Sequence, residues 1–127
     1  MGDCMDQTVL AGPDIALGEE ILKALDAAGL KVNVAMWINL AEFDDWRFLL
    51  AARSLDKEQG LGAHRLVDRA IRKAGILIED TPLIKIDSMT SRFIRDLRRR
   101  YAKAGGVLGG RSVGDRYVNG AYVNRVT

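Results

Sequence analysis

The chain has one cysteine, one histidine and two prolines in 127 residues, and each scarcity closes a route. With Cys4 alone, no internal disulfide and no cysteine-based zinc cluster can form. His64 has no serine or cysteine that can be assigned to it as a catalytic partner, and it falls at the edge of a helical apolar face. Stretches without charge are short. The longest spans residues 32–41, about half of what a membrane-spanning helix needs. No lysine precedes Lys23, while Asp3 and Asp6 stand where a signal peptide would carry positive charge. The reading is a cytoplasmic protein with no membrane contact.

What is present describes one ordinary domain: 48% hydrophobic and 28% charged residues. A chain of this size buries roughly two-thirds of its unfolded surface, which is enough for a core without covalent staples. The formal charge of +2 conceals an imbalance. Residues 1–60 carry five basic and eleven acidic side chains, a net of −6, whereas residues 61–127 carry fourteen basic and six acidic, a net of +8. Such asymmetry is a hint of contact with nucleic acid or an acidic partner.

Residues 1–12 show no periodicity and read as a loosely held N-terminal segment. Pro13 and Asp14 suit the first turn of a helix, where a missing N–H costs nothing and a negative charge meets the dipole. Ile21, Leu25 and Ala28 share its inner face, and Gly29 ends it. From Lys31 the period becomes two, so Val32, Val34, Met36, Ile38 and Leu40 alternate with Trp37 and Asn39. An acidic break at residues 42–45 and an apolar run at 46–52 complete a hairpin. Pairing Ala41 with Trp46 sets Asn39 against Phe48 and Trp37 against Leu50. Both faces are then apolar, and each must be covered by a helix of the chain or by another subunit.

A second helix is predicted over 56–74, with Leu66, Val67, Ala70, Ile71 and Ala74 inward, and Gly75 closes it. Residues 76–78 and 83–86 read as two short strands or one kinked strand around the turn signal at 79–82. Asp87 or Ser88 would cap a third helix carrying Phe93, Ile94, Leu97 and Tyr101 inward. A glycine-rich connection follows as a mobile linker. The last hairpin joins 113–118 to 121–127 through Asn119-Gly120, a favoured type I′ pair, with Tyr117 opposite Tyr122 and Val113 opposite Val126. The predicted fold is a single α+β domain over 1–127, in the order α-β-β-α-β-β-α-β-β. Three helices would pack on a mainly antiparallel sheet of five to six strands.

The third helix is the most distinctive segment. Arg92, Arg95, Arg99 and Lys103 gather opposite its apolar face, and Asp96 is its one acid. The guanidinium fork matches phosphate oxygens, so such a face can hold a nucleic-acid backbone through charge. Arg65, Arg69 and Arg72 form a second stripe, which would merge with the first if both helices lay on one side of the sheet. The competing reading is a pair of solvated faces with local pairing to Asp68 and Asp96. Residues 105–112 spell G-x-x-x-x-G-R-S, but a P-loop needs a strand before it and a helix after it, the reverse of this order. The acids Glu42, Asp44 and Asp45, and Glu79, Asp80 and Asp87, fall in turns. A metal-dependent phosphodiesterase would need them to converge, so no metal ligand, catalytic residue or cofactor is assigned. Trp37, Trp46 and Phe48 share a face of the first hairpin, either as core under a helix or as an exposed patch for self-association or a protein partner.

The A-x-W-x8-W-R arrangement at Ala35, Trp37, Trp46 and Arg47 leads into an apolar strand, Leu55-Asp56 and a helix. Over residues 14–74 this resembles small uncharacterised bacterial proteins. The resemblance implies a bacterial, cytoplasmic, single-domain protein and brings no activity or ligand with it. Two readings of function stand: a non-enzymatic interaction or self-associating domain using Trp37, Trp46 and Phe48, or a nucleic-acid-binding module using the arginine-rich helix.

Overall fold

The structure is a computed structural model and describes residues 12–42, 45–58, 61–100 and 106–127. It is an α+β fold in three layers, with a five-stranded mixed sheet between helices. Helix α1, Gly12–Ala27, begins at the Pro13-Asp14 signal. It ends where Gly29 takes φ +80°. The N–H of Gly29 then bonds to the carbonyl of Asp26, and that of Leu30 to the carbonyl of Leu25. This paired closure satisfies the last carbonyls and needs a left-handed residue, which glycine supplies without strain.

Strands β1, Val34–Leu40, and β2, Trp46–Ala51, form the expected hairpin. Its register differs from the expected one by two residues, with Trp37 opposite Phe48 and Asn39 opposite Trp46. Because side chains alternate with period two, an even slip leaves every residue on its expected face. All seven residues of β1 are buried, since it is the central strand and both its faces are covered.

The 56–74 helix is instead two helices, α2 at Arg53–Asp56 and α3 at Leu61–Lys73. Ala63, Val67, Ala70 and Ile71 face inward, Leu66 is half-buried and Ala74 is exposed. Of the two short strands, or one kinked strand, expected around 79–82, only the second run forms a strand. Ile78–Asp80 form a 3-10 turn, and only Ile84–Asp87 pair, as β3, parallel to β2. A parallel neighbour requires a crossover, and α2 and α3 provide it.

Helix α4, Arg92–Arg100, is capped by Ser91, whose Oγ accepts the N–H of Ile94 at 3.1 Å. Asp87 lies in the preceding strand and accepts from the N–H of Ser88. The glycine-rich connection is not a linker. Val107–Val113 is strand β4, and Arg116–Val126 is one continuous strand, β5. The turn falls at Gly114-Asp115, so Tyr117 faces Ser112, Tyr122 faces Val107 and Val113 faces Arg116. Gly114 has φ +59° while Asp115 stays at negative φ, the dihedral signature of a type II′ rather than a type I′ turn.

The sheet order is β3-β2-β1-β5-β4. On one face, α1 and α3 cover Ala35, Trp37, Phe48 and Leu50. On the other, Phe93, Ile94 and Leu97 of α4 cover Met36, Ile38, Leu49, Val118, Ala121 and Val123. Fully burying each large apolar side chain stabilises the fold by about 1.5–3 kcal/mol. The two layers thus bind the helices to the sheet independently. Among the described residues no helix is long and apolar enough to cross a membrane. The expectations for residues 1–11 and for Asp44, Tyr101 and Lys103 lie outside the described residues.

Candidate functional site

Helix α4 presents two chemically opposed sides. Phe93, Ile94 and Leu97 point into the core, and Asp96 is buried beside them. Arg92, Arg95, Arg99 and Arg100 are exposed. A buried carboxylate is costly unless hydrogen-bonded and paired, and Asp96 is both. Its Oδ2 accepts the main-chain N–H of Gly114 at 2.7 Å. Its Oδ1 accepts from Arg99 at 2.8 Å and forms an ion pair with Arg100, whose Nε lies at 2.9 Å. The Gly114 bond, followed by the two guanidinium groups, holds the Asp96 carboxyl below the usual carboxylate range against the opposing effect of burial.

These contacts shape an open groove of about 550 Å³ between α4 and the β4–β5 turn, lined by Arg92, Arg95, Asp96, Arg99, Arg100 and Gly114. Four guanidinium groups therefore surround one carboxylate. Arg99 and Arg100 are oriented by Asp96, whereas the guanidinium groups of Arg92 and Arg95 have no hydrogen-bond or ion-pair partner among the described residues. Arg98 turns away and donates to the carbonyl of Thr127 at 3.0 Å. The groove offers two held and two unengaged arginines to an anion, and its one carboxylate, Asp96, is engaged by Gly114, Arg99 and Arg100.

The two arginine stripes do not merge. α3 lies on the opposite face of the sheet from α4, so Arg65 and Arg69 are exposed on a separate surface. Arg72 is a staple of the fold. It donates to the carbonyl of Ile76 at 2.8 Å and to the Thr81 hydroxyl at 2.9 Å, and it pairs with Asp68 at 3.0 Å. The local pairing expected for Asp68 and Asp96 is thus present in both helices.

The aromatic patch is not an open sheet face. Trp37 is 4% exposed and Phe48 is fully buried, with their rings 5.0 Å apart beneath α1. Trp46 is half-buried against the same cluster. The covering helix belongs to the chain itself, so Trp37 and Phe48 are core under a helix, the first of the two alternatives, while Trp46 keeps part of its surface. The turn acids are dispersed. Glu42 pairs with Arg116 at 3.3 Å, and Asp45 with Arg47 at 3.1 Å. Among the described residues no three His, Cys, Asp or Glu side chains come together as a metal site needs. His64 is exposed on α3, and the G-R-S of the P-loop-like segment lies within β4.

Sequence reasoning anticipated the local pairing of Asp96 but passed over its tie to Gly114. One acid three and four residues before two arginines is a legible pairing signal, but its bond to Gly114 spans 18 positions and exists only in the fold. Compared with protein-family models, curated proteins and solved structures, the chain finds no match in any of the three, so the groove itself carries the functional reading.

Proposed function

We propose that the chain is a polyanion-binding module, with nucleic acid as the phosphate-rich ligand, and that the α4 groove is its contact surface. The observation that supports this reading is the engagement pattern of the four arginines. On α3 the arginine that serves the fold is paired, Arg72 with Asp68. On α4 the guanidinium groups of Arg92 and Arg95 stand one turn apart without a partner among the described residues, beside two others already held in place by Asp96. Holding two of the four in advance lowers the ordering cost when phosphate binds. Contact through charge alone positions a backbone without reading its bases, so affinity would be broad in sequence and steep in salt.

The test is a salt titration of binding to labelled single-stranded and duplex oligonucleotides, with the native chain and with Arg92→Gln/Arg95→Gln. The native chain should bind at low salt with log K falling linearly in log salt. The double variant should flatten that slope by about one to two units, in line with roughly 0.7–0.9 per phosphate contact, and bind at least about tenfold more weakly. No binding at about 20 mM salt, or an unchanged slope, would sink the proposal.

A further inference from the structure

Strand β3, Ile84–Asp87, ends the sheet on the side opposite β4, so one of its edges has no neighbouring strand among the described residues. The N–H of Phe48 bonds to the carbonyl of Leu83, and the parallel register sets Phe48 beside Ile84. Main-chain groups alternate in direction along a strand, so Lys85 and Asp87 turn theirs toward β2 while Ile84 and Ile86 turn theirs outward. Such an edge is open to a further strand. The approach to it is apolar. Leu77, Ile78 and Leu83 are all exposed, and all lie in the segment that leads into β3. A cleft of about 380 Å³ opens there between Val67 and Ile71 of α3 and Ile78, Pro82, Leu83 and Ile84.

The sequence of the strand itself identifies what pairs with it. A second copy can lie antiparallel beside β3 about a two-fold axis, provided that outward-turned residues face each other, and the axis then passes through one of its four residues. Centring on Ile84 sets Ile86 against Pro82, which has no N–H to give. Centring on Lys85 or on Asp87 sets that residue against its own copy, and like charges directly opposite repel. Centring on Ile86 sets Ile86 against itself and Lys85 against Asp87 of the partner subunit, twice by symmetry. These charged pairs fall at the non-hydrogen-bonded positions, where side chains come closest. A lysine on an edge strand ordinarily guards it against pairing. Here an acid two residues on makes that lysine a match for a second copy.

We infer that the chain forms a two-fold dimer through the β3 edge, centred on Ile86 and flanked by reciprocal Lys85–Asp87 ion pairs. The axis stands perpendicular to the sheet, so each face continues from one copy to the next. Ile84 and Ile86, which pack on the layer beneath α1 and α3, extend that layer across the junction, and the charges meet on the opposite face. The inference does not depend on the α4 groove, which lies by Gly114 toward the other edge of the sheet.

The test is the mass in solution, by light scattering and sedimentation equilibrium. The native chain should pass from one copy to two with a Kd of about 100 µM or tighter, the range of small interfaces. Lys85→Glu and Asp87→Lys each set like charges opposite across the junction, and each should weaken self-association at least about tenfold. Mixed in equal amounts, the two variants set unlike charges opposite at both positions and should form a heterodimer within about fivefold of native affinity. Only folded variants can pair in this way, so the mixture separates charge matching from misfolding. A native chain that stays single at about 1 mM, a dimer that both variants leave intact, or a mixture that fails to pair while each variant keeps the native circular dichroism would overturn the inference.

Discussion

The main-chain N–H of Gly114 donates to Oδ2 of Asp96 at 2.7 Å, and this bond ties α4 to the β4–β5 turn. The other oxygen of the same carboxylate holds Arg99 and Arg100. One buried acid therefore anchors the helix and orients half of the basic groove. Asp96→Ala should lower the thermal midpoint and also weaken polyanion binding, although it removes a negative charge from a site that binds anions. A purely electrostatic role would predict the opposite, tighter binding. Parallel melting curves and binding titrations separate the two.

The lowered pKa of Asp96 has a pH consequence whose sign is fixed. A carboxyl held below its unfolded value contributes stability that is fully present above the unfolded range, near pH 4, and is lost as pH falls toward its lower folded value. Asp26 behaves alike, because the hydrogen bond from Arg125, at 2.7 Å, depresses its carboxyl. Urea midpoints should thus hold from pH 7 to about pH 5 and fall below about pH 4. In Asp96→Asn the acid fall should be shallower, since one of the two groups no longer titrates. An equally steep fall in that variant would place the acid sensitivity elsewhere.

Gly114 itself cannot readily be replaced. A Cβ there would lie 2.8 Å from Cα of Phe93 and 2.9 Å from its nitrogen, both backbone atoms that cannot rotate away. The residue also sits at φ +59°. Gly114→Ala combines left-handed strain with a backbone clash, and should cost about 2–4 kcal/mol in chemical denaturation. Gly29→Ala shares the positive φ but meets nothing within 4 Å, so it should cost only about 1 kcal/mol.

The last strand shows what a sequence can and cannot disclose. Asn119-Gly120 has the composition of a hairpin turn, yet β5 runs through it. Between Asn39 and Leu40 the pairing of β1 with β5 skips Asn119, and between Ala35 and Met36 it skips Asn124. Each bulge inserts one residue and resets the alternation, so the side chains facing α4 are Val118, Ala121, Val123 and Val126 rather than every second residue. The second bulge lets neighbours Asn124 and Arg125 both reach α1, at Glu19 and Asp26. No local pattern encodes such phase changes. The faces of β1 and β2 were legible because an even slip preserves them, and the outward arginines of α4 because helical period alone places them. The parallel pairing of β3, the opposite placement of α3 and α4, and the Asp96–Gly114 bond depend on contacts between distant segments.

Two helical glycines offer a paired experiment on packing. A Cβ on Gly18 of α1 would lie 2.8 Å from Nε1 of Trp37, 3.0 Å from Cε1 of Phe48 and 3.2 Å from Nδ2 of Asn124. All three side chains are buried, and Asn124 is held by Glu19 at 2.8 Å, so none can yield without disturbing the layer beneath α1. A Cβ on Gly62 of α3 would meet only the flexible side chain of Glu58, at 3.1 Å from Oε1. Alanine in a helix is favoured over glycine by about 1 kcal/mol, and at Gly62 nothing opposes that gain. At Gly18 overpacking of about 1–3 kcal/mol works against it. Gly62→Ala should therefore raise the unfolding free energy by up to about 1 kcal/mol, whereas Gly18→Ala should lower it and shift tryptophan emission as α1 lifts. Stabilisation by Gly18→Ala with unchanged emission would mean that α1 does not press on Trp37 as described.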